Sequence, residues 1–201
     1  MNTTANPIPH AAANAYSYPL LIKQLLHTAL VQAPTQEIVY ASYSRYTYTD
    51  FYARIQRQAN MLTALGVGMG DTVAVMDWDS HRYLEAYFAV PMMGSVLFNV
   101  NVRLSPDQIL YTINHARPKV LLVNAEFLSV VEGIRDQMES VETVILLNDG
   151  EALDPAAVGG QGEYEALLAA SADHYDFPDF DENTRATTFY TTGTTGLPKG
   201  V

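Results

Sequence analysis

Short apolar runs alternate with helical patterns through the middle of the chain, and this alternation constrains the fold more than any other feature. The runs are rich in Val, Leu and Ile and predict strands at Thr72–Met76, Val96–Val100, Lys119–Val123 and Val144–Leu147. Strands that are apolar on both faces are typical of a parallel sheet covered by helices on each side. The sequence therefore predicts an α/β fold, with a mostly parallel sheet flanked by helices.

Helical patterns occupy the stretches between and around these strands. Apolar spacing, prolines and glycines predict helices over 21–30, 50–65, 80–93, 106–115, 127–138 and 164–170. Thr49 and Ser105 are expected to cap the second and fourth of these, because a short hydroxyl side chain satisfies free amides at a helix start. Glu37–Tyr40 and Arg45–Tyr48 are predicted to pair as a hairpin.

The chain divides by composition into three parts. Residues 1–18 are small and polar and are expected to form a loose lead-in. Residues 19–185 are expected to form one α/β subdomain, in which 148–183 is an acidic surface connection. Residues 186–201 read as a strand, Ala186–Tyr190, followed by a loop that opens a further subdomain.

The chain carries a net charge of −11, from 22 acidic and 11 basic residues. Between Glu126 and Glu182 there are 15 acidic residues and a single base, Arg135. So negative a stretch repels nucleic-acid backbones and anionic membrane surfaces, which disfavours both as partners. We interpret the stretch as a solvated face that keeps the protein soluble.

The chain has no cysteine, which excludes disulfides, thiolate metal sites and a cysteine nucleophile. The first basic residue is Lys23, so no basic segment precedes an apolar one as in a signal peptide. The longest apolar run, Ala86 to Phe98, contains a proline and is too short to span a bilayer. These features predict a cytoplasmic protein without a transmembrane segment.

A loop rich in hydroxyl groups and glycine follows the last predicted strand. It reads Thr191-Thr192-Gly193-Thr194-Thr195-Gly196-Leu197-Pro198-Lys199-Gly200. Glycines allow backbone amides to approach an anion, threonine hydroxyls can bind phosphate oxygens or Mg²⁺, and a lysine adds a mobile positive charge. The order differs from the common nucleotide-binding loop, in which Gly-Lys-Ser/Thr follows a glycine and four residues. The alternative is a flexible surface loop, and the whole string favours phosphate binding.

This string resembles the phosphate-loop signature of the adenylate-forming superfamily, which includes acyl- and aryl-CoA synthetases, peptide-synthetase adenylation domains and luciferases. The signature has Ser or Thr at the position of Thr192, so the chain keeps its essentials. Upstream segments resemble medium- and long-chain fatty acyl-CoA synthetases, and the resemblance covers about residues 20 to 201. These segments are Trp78, His81–Pro91, Asn101–Pro106 and Ile113–Ala116.

The resemblance implies a two-step reaction, in which ATP activates a carboxylic acid to an acyl adenylate and coenzyme A converts the adenylate to a thioester. A medium- or long-chain fatty acid is the expected substrate, and a short or sulfur-containing acid stays open. It implies that Thr191 contacts phosphate and Mg²⁺ and that Lys199 neutralises the phosphates. The residues implied to surround the β- and γ-phosphates are Thr192, Gly193, Thr194, Thr195 and Gly196. It also implies homodimerisation through this subdomain, and a ribose-binding Asp, an acidic Mg²⁺ ligand and a catalytic Lys beyond Val201. The chain alone is therefore expected to be an incomplete, inactive N-terminal part.

Two other classes of function stay open at this point. One is a non-catalytic nucleotide-binding or dimerisation module. The other is a peptide-synthetase adenylation domain or a luciferase-like oxygenase, which shares the first chemical step. Sequence beyond Val201 would separate them, since a carrier-protein domain indicates a peptide synthetase.

Other groups that can bind metals are weaker candidates. The histidines are scattered without ligand spacing, at His10, His27, His81, His115 and His174. Asp77 and Asp79 follow a predicted strand and could bind Mg²⁺ together. Ordinary turn chemistry explains them as well, and we favour a strand-end turn.

Overall fold

A mostly parallel sheet forms the middle of the protein in the computed structural model, which describes residues 12, 14–16, 18–150, 160–191 and 196–201. The strands within these ranges are β1 (Glu37–Tyr40), β2 (Ser44–Thr47), β3 (Thr72–Met76), β4 (Val96–Asn99), β5 (Val120–Asn124), β6 (Thr143–Leu147), β7 (Gly162–Glu163), β8 (Thr187–Thr191) and β9 (Lys199–Gly200). The helices are α1 (Lys23–Gln32), α2 (Tyr48–Ala64), α3 (His81–Met92), α4 (Pro106–Ala116), α5 (Leu128–Ile134) and α6 (Tyr164–Ala170). None of these helices is both long enough and apolar enough to cross a membrane.

The sheet has the order β7-β6-β5-β3-β4-β8-β9 among the described residues. All neighbours are parallel except β8 and β9, which are antiparallel. β1 and β2 form a separate antiparallel hairpin. The predicted α/β class with a mostly parallel sheet is therefore confirmed. β8 lies in this sheet beside β4, and the division into subdomains at residue 186 stays a prediction.

Each face of the sheet carries its own core, because successive residues of a strand point to opposite faces. Val73 and Val75 of β3 pack toward α2, α3 and α6, where Leu62, Ala86 and Leu168 are also buried. On the opposite face, a second set of apolar residues packs toward α4 and α5. It includes Ala74, Met76, Phe98, Ile109, Ile113, Val131 and Tyr190. Burial on both faces explains why the central strands read as continuous apolar runs.

Helix α2 begins two residues before the predicted position. Thr47, and not Thr49, is its N-cap, so the prediction for Thr49 was wrong. The Thr47 hydroxyl accepts from the Asp50 amide, and the Asp50 carboxylate accepts from the Thr47 amide at 2.9 Å. This reciprocal pair is a capping box, which satisfies two free amides at once. The cap of α4 is Ser105, as predicted.

The helix predicted over 127–138 is interrupted. A 3₁₀ turn at Ala125–Phe127 precedes α5, and a second one at Arg135–Gln137 follows it. The Asn124 side chain accepts a hydrogen bond from the Glu126 amide and so caps the first 3₁₀ turn. This turn begins at Ala125, before the first residue of the predicted helix. Gly133 lowers the helix propensity near the other end.

The acidic stretch is more than a solvated face, and the prediction was wrong on this point. Several of its carboxylates bind bases that precede it in the chain. The pairs are Asp149 with Arg82, Glu165 with Arg54, Asp173 with Arg57 and Asp179 with Lys23. Its backbone carbonyls at Ala172 and His174 also accept from Asn60 of α2. The stretch therefore docks against α1, α2 and α3. Residues 151–159 lie outside the described residues.

Candidate functional site

The candidate loop leaves the sheet from its carboxyl edge. β8 runs parallel to β4, with Asn99 opposite Phe189, so both strands end at the same side of the sheet. In open α/β sheets, ligands bind in the crevice outside the carboxyl ends of the strands. The loop predicted from the sequence thus begins where the fold class places ligand sites.

Two predicted site residues stand side by side at the base of this loop. Thr191 ends β8 and pairs with Lys199 of β9, and both are exposed. Directly paired residues of two antiparallel strands point to the same face, so the hydroxyl and the ammonium group share one face of the ribbon. Gly196, which lies between these two residues in the chain, has a φ of 120°, and this value is unfavourable for any residue with a side chain. Thr192, Gly193, Thr194 and Thr195 lie outside the described residues.

The positive charge of Lys199 is available to a ligand. Within the described ranges no carboxylate forms an ion pair with it. Most other bases of this acidic chain are paired with carboxylates, namely Lys23, Arg45, Arg54, Arg57, Arg82, Arg117 and Lys119. A lysine at the carboxyl edge that has no ion pair in the described part of the chain suits a polyanionic ligand.

The residue before the loop, Tyr190, anchors it to the core. Its ring packs edge-on against Phe98, with the ring centroids 5.3 Å apart. Its hydroxyl lies 2.6 Å from Nδ1 of His115, on α4. Burial raises the pKa of the phenol, so it stays protonated. In the sequence His115 is one of the scattered histidines and lies in the segment Ile113–Ala116, and no local pattern signals its contact with Tyr190.

Asp77 forms part of a turn at the end of β3. Its carboxylate accepts from the Trp78 amide at 2.8 Å, from Asn124 at 2.7 Å and from the Ser80 hydroxyl. Burial raises its pKa, and these hydrogen bonds oppose that effect. These contacts support the turn interpretation. Among the described residues, no cluster of three acidic or histidine side chains could hold a metal.

Comparison with known proteins places the chain in a family. The family model described as "AMP-binding enzyme" matches residues 26–201, which is most of the chain. The chain therefore belongs to the AMP-binding enzyme family. The resemblance predicted from the loop and the upstream segments is thereby confirmed.

Sequence relatives within this family are CoA ligases. A long-chain-fatty-acid–CoA ligase of Thermus thermophilus is 45% identical over 157 residues, which are 78% of this chain and 27% of the relative. A 3-methylmercaptopropionyl-CoA ligase of Ruegeria lacuscaerulensis is 35% identical over 91% of this chain and 35% of its own length. The chain thus spans between a quarter and two fifths of the length of such relatives.

A solved structure shows the same fold. The structure of an anthranilate CoA ligase in complex with anthranoyl-AMP superposes with a TM-score of 0.81, covering 89% of this chain and 33% of that one. Its sequence identity to this chain is 22%, so the likeness concerns the fold.

Proposed function

We propose that this chain supplies the phosphate-binding part of an ATP-dependent acid–thiol ligase, with a fatty acid as its carboxylic acid substrate. The observation that carries the proposal is the strand pairing of Thr191 with Lys199, which has no ion pair among the described residues, at the carboxyl edge of the sheet. Membership of the AMP-binding family and the CoA ligases among its relatives support the same chemistry.

The proposed reaction has two steps. A carboxylate oxygen attacks the α-phosphorus of ATP, the bond to the β-phosphate breaks, and pyrophosphate leaves an acyl adenylate behind. The sulfur of coenzyme A then attacks the acyl carbon, the thiol proton passes to water, and AMP leaves. In the first step Lys199 neutralises charge on the departing phosphates, and the loop amides and hydroxyls hold them in place.

Magnesium is proposed to enter with ATP. The Thr191 hydroxyl is a hard oxygen donor of the kind that Mg²⁺ accepts, and it stands beside Lys199. Mg²⁺ in nucleotide sites binds one or two protein groups together with phosphate oxygens and water. Thr191 fits that role as one ligand among several, and the ion would offset negative charge on the phosphates.

The proposal has three further parts: coenzyme A is the thiol substrate, the protein is cytoplasmic, and it forms a homodimer. The names of the sequence relatives support coenzyme A. Because the reaction consumes ATP and coenzyme A, the protein needs a compartment that supplies both, which favours the cytoplasm. The homodimer follows from the family resemblance, and light scattering of the purified protein tests it.

The test measures Mg·ATP binding and ATP–pyrophosphate exchange in the presence of a fatty acid. Both assays use the 201-residue chain and the full-length protein that its gene encodes. Lys199→Ala is expected to weaken Mg·ATP binding about 10- to 100-fold, since a hydrogen bond to a charged group contributes about 1.5–3 kcal/mol. Arg45→Ala removes one exposed positive charge from the β1–β2 hairpin and is the matched control, with binding expected to change less than about twofold.

The outcomes separate the candidate functions. Failure of the longest gene product to bind Mg·ATP overturns the proposal. Nucleotide binding without exchange in that product indicates a non-catalytic nucleotide-binding module. Exchange driven by an amino acid instead of a fatty acid indicates a peptide-synthetase type of enzyme.

A further inference from the structure

We infer that His115 is a positioning residue for Thr191 and Lys199 at the base of the loop, acting through its hydrogen bond to Tyr190. The inference has two parts. The first is that the His115–Tyr190 pair sets the conformation of the ribbon formed by β8 and β9. The second is that this conformation sets the affinity for Mg·ATP, and this part rests on the proposed function.

The hydrogen bond joins the end of a helix to the strand that carries the loop. His115 is the penultimate residue of α4, and its Nδ1 lies 2.6 Å from the Tyr190 hydroxyl. Burial keeps the phenol protonated, so its hydroxyl can donate or accept, and the tautomer of His115 decides which partner donates. The Tyr111 ring stacks on His115, with centroids 5.9 Å apart, and this contact orients the imidazole.

Tyr190 also contacts β9, the second strand of the ribbon. It pairs with Gly200 of β9, and its ring covers that glycine. A Cβ at Gly200 would lie 3.3 Å from Cε1 of Tyr190, closer than most such contacts. The absence of a side chain at Gly200 therefore lets the Tyr190 ring lie against both strands of the ribbon.

The pair faces the core, and the site residues face away from it. Along each strand successive side chains alternate, so Thr191 and Lys199 lie opposite to Tyr190 and Gly200, one residue further toward the loop. Phe98 supports the ring from the neighbouring strand. A shift of the Tyr190 ring therefore moves the two site residues, and misplacement by about 1 Å is enough to weaken a positioned contact strongly.

The experiment compares variants that differ in one hydrogen-bonding group. Tyr190→Phe removes the hydroxyl, and His115→Phe removes Nδ1 while keeping a ring. His115→Asn keeps a hydrogen-bonding amide near the position of Nδ1 and serves as the rescue variant. Ser95→Ala is the structural control, because it removes another partly buried hydrogen bond, from Ser95 Oγ to the Gly68 carbonyl at 2.7 Å, at the amino end of β4.

Two readouts are taken at a temperature where every variant is folded. Amide hydrogen exchange of Tyr190, Thr191 and Lys199 reports on the ribbon without any ligand. Tyr190→Phe and His115→Phe are each expected to speed this exchange about 3- to 10-fold and to raise the Kd for Mg·ATP by a similar factor. The double variant is expected to match the single ones, because both remove the same bond. His115→Asn should recover most of the loss, and Ser95→Ala should change neither readout.

The two parts of the inference fail separately. Unchanged exchange in both Phe variants overturns the positioning role, whether or not the protein binds ATP. Faster exchange with an unchanged Kd overturns the link to nucleotide affinity. A wild-type protein that binds no Mg·ATP rejects the proposed function and the second part together, and faster exchange would then still support the first.

Discussion

The guanidinium group of Arg54 lies against the carboxylate of Glu85, which has no exposed surface: Arg54 Nε donates to Glu85 Oε1 at 2.5 Å. The hydroxyls of Tyr164 and Tyr46 also donate to this carboxylate, at 2.7 and 3.0 Å. Burial raises the pKa of both phenols, so they stay protonated as donors. One buried charge thus connects α2, α3, α6 and the hairpin.

Removing the base from this cluster should destabilise the protein strongly. Arg54→Ala leaves the Glu85 carboxylate buried without its counterion, and we expect the free energy of unfolding to fall by about 3–5 kcal/mol. The matched control is Arg45→Ala, which breaks the exposed pair with Glu37 and should cost about 0–1 kcal/mol. Urea unfolding, followed by the fluorescence of the single tryptophan, Trp78, measures the free energy of unfolding of both variants. Similar losses in the two variants would contradict the assigned role of Glu85.

A second prediction concerns acid stability. Burial alone would raise the pKa of Glu165, but hydrogen bonds from His81 and Arg54 outweigh it and hold the pKa at about 2, below the ordinary value of 4.5. The folded state thus binds this proton less readily than the unfolded state does. The contribution of Glu165 to stability is complete above pH 4.5 and is lost as the pH falls toward 2.

Glu165→Gln removes this contribution. The free energy of unfolding of the variant should therefore fall less steeply than that of the wild type between pH 4.5 and 2. Urea unfolding at several pH values in this window measures both slopes. Parallel curves for the two proteins would show that Glu165 titrates alike in the folded and unfolded states.

The start of α2 provides a third prediction. Thr47→Ala removes the side chain that accepts from the Asp50 amide, and should lower the free energy of unfolding by about 1 kcal/mol. Thr49→Ala, two residues on, loses an exposed hydrogen bond to the Pro34 carbonyl but gains helix propensity, so we expect a change within about 0.5 kcal/mol. Thermal unfolding distinguishes the two, and a larger loss for Thr49→Ala would refute the observed cap.

Two glycines should respond in opposite directions to alanine. Gly94 has a φ of 77°, and a Cβ there would lie 3.1 Å from the Met69 side chain, so Gly94→Ala should destabilise by about 1–2 kcal/mol. Gly133 lies in α5 with open space around its position, and Gly133→Ala should stabilise by about 0.5–1 kcal/mol. Denaturant midpoints measure both changes. A stabilising Gly94→Ala would mean that the turn after α3 differs from the one described.

Local patterns in the sequence predicted the strands closely. The third apolar run was expected at Lys119–Val123, and the strand is Val120–Asn124. Such runs are reliable because both faces of a central strand are buried, so every position must be apolar. The Thr47 cap was missed because Thr47 and Thr49 are both plausible caps, and the choice depends on which one has an acidic residue three positions later. Thr47 is followed by Asp50.

Contacts between distant residues could not be predicted in this way. Arg54 and Glu165 are separated by 111 positions and His115 and Tyr190 by 75. An acidic residue looks the same in the sequence whether it is solvated or bound to an arginine. Only the packing of α6 on α2 brings Glu165 to its partner, so the acidic stretch was interpreted as a solvated face.

The sequence by itself determined the class of fold, the positions of the central strands and the family, because apolar burial and the glycine-threonine loop leave local signals. The tertiary structure decided which strand accompanies the loop, which carboxylates pair with distant bases and which histidine contacts Tyr190. These follow from the order of strands in the sheet, since β8 lies beside β4, whereas β5, β6 and β7, which precede it in the chain, lie on the other side of β3. Proximity of this kind results from the packing of the whole chain and has no counterpart in any short segment of it.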